Sequence, residues 1–331
     1  MFIDAVMLVI SLAVILLSCF IFTNSIEWLG KKLKLGEGVV GSILAAVGTA
    51  LPETIIPIIA ILFYNNASSE EVGIGAIAGA PFMLGTLAFF VTGLAVVIYA
   101  LLGKREMKMN ADPKVISRDL TFFIIIYGIA VGTTFIHQYT ILKTIVAICL
   151  LLSYLLYLKK TFSGECEQCE VLDKLYLSRI FKVKTNLTWI IVQALLALAG
   201  IVIGAHFFVQ YVEDMANHLH IAPLILSIII TPIATELPEK LNSVIWTGRK
   251  KDTLALGNIS GAMVFQSCFP VVFGIIFTPW DLKGPTLASA IIALTAALIN
   301  LVWIKLRNTI NPLVLLFDGV LYATFLVIIF S

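Results

Sequence analysis

Hydrophobic side chains make up 60% of this 331-residue chain and Asp, Glu, Lys and Arg only 13%, with a mean hydropathy of +1.03. That balance excludes a water-soluble globular domain. The formal net charge is +2, and most basic residues sit in the loops between apolar runs, which leaves no nucleic-acid-binding surface to argue for.

Ten apolar runs follow one another, each long enough for a helix to cross roughly 30 Å of hydrocarbon. They span 3–29, 38–63, 72–102, 119–136 and 139–158, then 187–212, 221–247, 253–277, 285–304 and 311–330. The first lacks a basic start and a small-residue cleavage site and is too long for a signal-peptide core, so it reads as a helix. None alternates as a barrel strand does. The fold expected is an all-α integral membrane protein of ten transmembrane helices.

Lys and Arg orient such helices, and here they are unevenly placed. Lys31, Lys32 and Lys34 follow the first run, and Lys104, Arg105, Lys108, Lys114 and Arg118 the third. Six more, from Lys159 to Lys184, follow the fifth; Arg249, Lys250 and Lys251 follow the seventh, and Lys305 and Arg307 the ninth. Nineteen of the 22 basic residues thus fall in alternate loops. Those loops are expected to be cytoplasmic, both termini extracytoplasmic, and the protein multi-pass in the cell membrane. Topology accounts for the basic loops without an anionic lipid or nucleic acid as partner.

The one long polar break, 159–186, separates a first five-helix set, 1–158, from a second, 187–331. In the first set "GTALPE" places Thr49, Pro52 and Glu53 in the second run; in the second, "ATELPE" places Thr235, Pro238 and Glu239 in the seventh. A glycine pair follows each time, Gly75 and Gly79 in "GAIAGAPF", Gly257 and Gly261 in "GNISGAMVF". The repeated elements cover about 38–102 and 221–277. Five helices is an odd number, so the second copy enters the membrane from the opposite side, the inverted-repeat design of secondary transporters.

A proline inside a helix removes a backbone donor and frees carbonyls, which in a medium without water need another partner. A cation is one such partner; threonine hydroxyls add oxygen and a glutamate adds charge. An unpaired carboxylate in hydrocarbon is costly, so Glu53 and Glu239 are expected to face the bundle interior and act there. The glycine pairs are expected to let the third and eighth helices approach the broken ones closely.

These paired elements resemble those of the cation/Ca2+ antiporter superfamily, in particular its prokaryotic sodium/calcium exchanger-like members. The resemblance extends over nearly the whole chain. It implies a cation site between the second, third, seventh and eighth helices and alternating-access exchange of Ca2+ against Na+ or H+, with no enzymatic activity and no cofactor. Carried over position by position, it assigns ion binding to Thr49, Glu53, Thr235, Glu239 and Asn258.

Departures from the pattern remove oxygens. Ala76 stands where the family has asparagine, Ala80 and Ala262 where serine is common, and Pro81 and Met263 where Asn or Asp is expected. Glu236 and Gln266 add polar groups back, and Lys240 follows Glu239 directly. Glu236 and Lys240 are spaced i, i+4 with the acid first, the favourable order for a helical pair. Lys240 then reads either as a structural partner or as a built-in cation in place of a transported one. Glu53, Glu236 and Glu239 are also candidates to bind protons in competition with a divalent cation.

Four further features stand apart. Asp318, deep in the tenth run, is read as a partner of Lys240 or a helix-end residue. His206 is read as a pore-lining or hydrogen-bonded histidine, and Cys19, Cys149 and Cys268 as packing residues. Cys166 and Cys169 have C-x-x-C spacing but lack the second pair of a zinc site. H-E-x-x-H and G-x-S-x-G elements are missing, so an intramembrane enzyme is not expected. The rival from another class is an ion-binding sensor that keeps the antiporter fold without transporting, and a proton-coupled carrier of another cation is a further alternative.

Overall fold

A computed structural model describes residues 2–32, 51–64, 66–162 and 174–330. Among them the chain is helical throughout, with no strand. The first set contains α1 (Phe2–Lys32), α2 (Leu51–Leu62), α3 (Ala67–Leu101), α4 (Pro113–Gly132) and α5 (Thr140–Phe162). The second contains α6 (Leu187–Leu219), α7 (Pro223–Thr235), α8 (Leu237–Gly248), α9 (Asp252–Phe277), α10 (Pro285–Arg307) and α11 (Pro312–Phe330). Among the described residues eight helices are long and apolar enough to cross a membrane, and the apolar stretches Pro52–Leu62 and Pro223–Ile233 are shorter.

Helix boundaries differ from the hydropathy reading. α6 runs on to Leu219, past the apolar run that ends at 212. α3 begins at Ala67 and α4 at Pro113, each about one and a half turns earlier than the apolar runs, because capping rather than hydropathy sets the start. Asn66 Oδ1 accepts from the Ser69 amide at 2.7 Å, and Asp112 Oδ1 from the Lys114 amide at 2.8 Å, ahead of Pro113. The seventh apolar run is two helices, since α7 ends at Thr235 and α8 starts at Leu237 with Glu236 between them at φ −91°, ψ 11°. Past Pro81, α3 widens into a π-turn at Leu84–Ala88, the kind of local irregularity that a missing proline donor favours.

Two apolar cores result among the described residues. One joins α3, α4, α5, α9, α10 and α11 around Phe82, Phe123, Met263 and Trp280. The other joins α1, α2 and α6, with Ile15, Ile56, Phe208 and, from α7, Leu226. α3 contributes to both, and α1 lies along α6. The loop from α3 to α4 is clamped onto the α8–α9 turn by Arg105, whose Nη1 and Nη2 each lie 2.8 Å from an Asp252 carboxylate oxygen. Nη1 also donates to the Thr247 carbonyl and Nη2 to that of Lys108.

Candidate cation site

α3 meets α7 at the first glycine pair. A Cβ on Gly75 would stand 2.7 Å from the Leu224 carbonyl oxygen, and one on Gly79 2.5 Å from that of Ile228. Only glycine permits that approach. The Ser227 hydroxyl uses it, donating across to the Val72 carbonyl at 2.7 Å. Gly257 has nothing within 4 Å of its Cβ position among the described residues, and Gly261 only the Tyr157 hydroxyl at 3.9 Å. The segment that the repeat would set against that second pair, about 38–50, lies outside the described residues, as do Thr49, Cys166 and Cys169.

The break between α7 and α8 gathers charge. Glu236 is fully buried, Glu239 is 5% exposed and Lys240 7%. Lys240 Nζ stands 3.5 Å from Glu236 Oε2 and donates to the Pro232 carbonyl at 3.0 Å. Glu53, in the first turn of α2, is 4% exposed, and neither of its carboxylate oxygens has a hydrogen-bond partner among the described residues. The same holds for both oxygens of Glu236 and for Glu239 Oε2. Glu53 lies within electrostatic reach of Glu239, Glu236 and Lys240, so carboxylates from the two halves of the chain share one neighbourhood.

Among the described residues neutral polar groups are sparse there. Thr235 is buried, but its hydroxyl donates back to the Thr231 carbonyl at 3.0 Å. Asn258 Nδ2 donates to the Glu239 carbonyl at 3.3 Å, tying α9 to α8. Gln266 is buried beside Glu236, its Oε1 without a partner. Ala76, Ala80, Pro81 and Met263 are all buried and bring no side-chain oxygen. Among the described residues no three His, Cys, Asp or Glu side chains are arranged to hold a metal ion.

Asp318 is corrected. It sits inside α11 rather than at a helix end, and its Oδ2 accepts from Asn300 Nδ2 at 2.8 Å, while Lys240 is engaged with Glu236 and Pro232. Both sequence readings failed because the partner, Asn300 on α10, carries no motif. His206 is a hydrogen-bonded histidine: the Tyr64 hydroxyl lies 3.0 Å from its Nδ1 and donates to its carbonyl at 2.9 Å. Cys19 on α1 is buried in the core that joins α1, α2 and α6, in keeping with its reading as a packing residue. Sequence reasoning missed Asp119, buried on α4, which accepts from Tyr157 at 3.1 Å and from Ser260 at 2.8 Å. A lone aspartate at the start of an apolar run was the available signal.

Known proteins resemble the chain along most of its length. It is 23% identical over 257 residues to an uncharacterized membrane protein of Methanocaldococcus jannaschii, covering 77% of this chain and 76% of that protein. Inner membrane protein YrbG of Escherichia coli is 21% identical over 248 residues, 74% of this chain and 70% of its own. A putative antiporter, CaxA of Alkalimonas amylolytica, shares 29% over 112 residues, 34% of this chain and 35% of its own. Among solved structures, the H+/Ca2+ exchanger CAX superposes with a TM-score of 0.70 at 15% identity, over 99% of this chain and 82% of that one. The sodium-calcium exchanger NCX_Mj gives 0.58 at 17% identity, over 98% of both chains. These likenesses establish the fold. The sequence pattern of the family described as sodium/calcium exchanger protein matches residues 3–160 and 189–331, leaving out little more than the polar break. The chain therefore belongs to that family, and so to the cation/Ca2+ antiporter superfamily of multi-pass membrane transporters.

Proposed function

We propose that the protein is a secondary active antiporter that exchanges Ca2+ or a related divalent cation against protons, by alternating access at Glu53, Glu236 and Glu239. The observation that carries this is the set of buried carboxylate oxygens, drawn from both halves of the chain, without hydrogen-bond partners among the described residues. Buried polar atoms are normally paired, and a carboxylate in hydrocarbon is costly. A divalent cation satisfies such oxygens, and so does a proton, and competition between the two is what antiport requires.

Ca2+ takes six to eight oxygens. The carboxylates with Thr49, Thr235, Asn258, Gln266 and carbonyls of the broken helices would supply them, the site closing around the ion as the carrier turns over. Protons are preferred to Na+ as counter-ion because the neutral oxygens that a separate Na+ shell needs are replaced by Ala76, Ala80, Pro81 and Met263. The fold likeness to an H+/Ca2+ exchanger accords with that choice. The reading includes ten membrane-spanning segments in two inverted sets, 1–158 and 187–331, joined by a cytoplasmic linker. It also places the protein in the cell membrane with both termini outside.

The test is gradient-driven flux. Proteoliposomes carrying the protein should take up 45Ca when a pH gradient is imposed, and Glu53→Gln and Glu239→Gln should abolish uptake while the protein remains folded. Uptake driven by Na+ alone would overturn the proton assignment; no gradient-driven uptake of any divalent cation would overturn antiport. A second reading draws on Lys240, whose ammonium already occupies a carbonyl at the helix break: an ion-binding sensor on the antiporter fold would bind cations but give no flux.

A further inference from the structure

Four basic side chains from three helices line one pocket of about 350 Å3. Lys114 and Arg118 come from the start of α4, Lys160 from the last turn of α5 and Lys305 from the last turn of α10. In sequence they belong to three separate loops, each accounted for by topology, and only the fold brings them together. Among the described residues no Asp or Glu lines the pocket. Behind it Asp119 accepts from Arg118 Nε and Nη2 at 3.0 and 2.8 Å. Lys114, Lys160 and Lys305 are exposed and enter no ion pair among the described residues. Like charges held together repel one another unless an anion sits among them.

The rest of the wall says what kind of anion. Phe122, Ile125 and Tyr157 continue the pocket as an apolar face, with Ile125 56% exposed on the outside of the bundle. A free phosphate has no use for that face, whereas an acyl chain does. The three helix ends lie at one end of the membrane-spanning bundle, the end that the distribution of Lys and Arg assigns to the cytoplasm. We propose that this pocket binds the phosphate headgroup of an anionic phospholipid, with the lipid's acyl chains against Phe122 and Ile125.

Occupancy would brace α4, α5 and α10 at once. Through Asp119, which also accepts from Tyr157 of α5 and Ser260 of α9, the brace reaches the helix that carries Asn258 and Gln266. The site is separate from the carboxylates assigned to exchange and does not depend on that assignment.

Thermal unfolding of the purified full chain in detergent tests it, with phosphatidylglycerol, phosphatidylcholine or inorganic phosphate added. Phosphatidylglycerol at a hundredfold excess over its Kd should raise the wild-type Tm by about 5 °C, and the other two should not. The K114Q/K160Q/K305Q variant should lose the shift, and the K114R/K160R/K305R variant should keep it. Native mass spectrometry should show fewer bound phosphatidylglycerol molecules on each single Lys→Gln variant than on wild type, which reads the site without relying on unfolding. Equal shifts with both lipids, an undiminished shift in the triple Gln variant, or the same stabilisation by inorganic phosphate would each overturn the proposal.

Discussion

Lys240 of α8 pairs with Glu236, the residue between α7 and α8, Nζ 3.5 Å from Oε2, with side chains 8% and 0% exposed. The same ammonium donates to the Pro232 carbonyl, the acceptor of the Glu236 amide at 3.2 Å. A tethered cation thus sits where a broken helix presents oxygen and a buried carboxylate presents charge. A solvated surface pair contributes little, but a buried one leaves an uncompensated charge when a partner is removed.

Lys240→Met should therefore destabilise the cation-free protein by about 3–5 kcal/mol, and the double variant E236Q/K240M should recover part of the loss. Because the freed carboxylate gains most from an added ion, Ca2+ should raise the Tm of Lys240→Met more than that of wild type. Equal Ca2+ responses in the two proteins would show that Lys240 does not compete with the ion.

Cation binding should weaken as pH falls. Protonating Glu53, Glu236 or Glu239 removes the negative charge that attracts a divalent ion, so each proton bound lowers affinity and cation binding releases protons. Calorimetric Ca2+ titrations from mildly alkaline to mildly acidic buffer should show that trend. The E53Q/E239Q variant should flatten it along with the overall loss of binding. A pH-independent affinity in wild type would contradict competition at the carboxylates.

Gly79→Ala tests the helix approach that positions α7. Its Cβ would meet the Ile228 carbonyl oxygen at 2.5 Å and Cα at 2.9 Å, both backbone atoms that cannot rotate away. The expected cost is about 1–3 kcal/mol, as for other overpacked sites. Gly128→Ala, with nothing within 4 Å among the described residues, is the control and should be neutral or stabilising by up to about 1 kcal/mol through helix propensity. Denaturation midpoints of the two variants provide the comparison.

Arg105 and Asp252 hold the α3–α4 loop against the start of α9 through two bonds of 2.8 Å, both side chains buried. Asp252→Asn should cost about 3–5 kcal/mol, since it leaves the guanidinium uncompensated. Arg105→Lys should not rescue the site, because an ammonium cannot make the bidentate contact while also reaching the Thr247 and Lys108 carbonyls. Thermal unfolding of both variants checks this, and a stable Arg105→Lys protein would contradict it.

Much of the architecture was legible because hydrocarbon leaves few options: backbone groups must be satisfied within each segment, so apolar runs of sufficient length become helices. Glu53 and Glu239 stood out for the same reason, as charges whose burial needs an explanation. Helix starts such as Ala67 and Pro113 were missed because capping groups are polar and lie outside the hydropathy signal.

What the sequence determined by itself was a helical membrane protein with a duplicated proline-glutamate element, since composition, run length and repeated spacing are properties of the chain alone. Which side chains meet across helices was decided only by tertiary structure. Lys240 took Glu236, the partner its i, i+4 spacing offered, but Asp318 found Asn300, and three distant loops met in one basic pocket. Such pairings depend on how helices are rotated and packed. In a membrane that is settled by close small-residue contacts such as Gly79 against Ile228, not by any periodicity readable along a uniformly apolar helix.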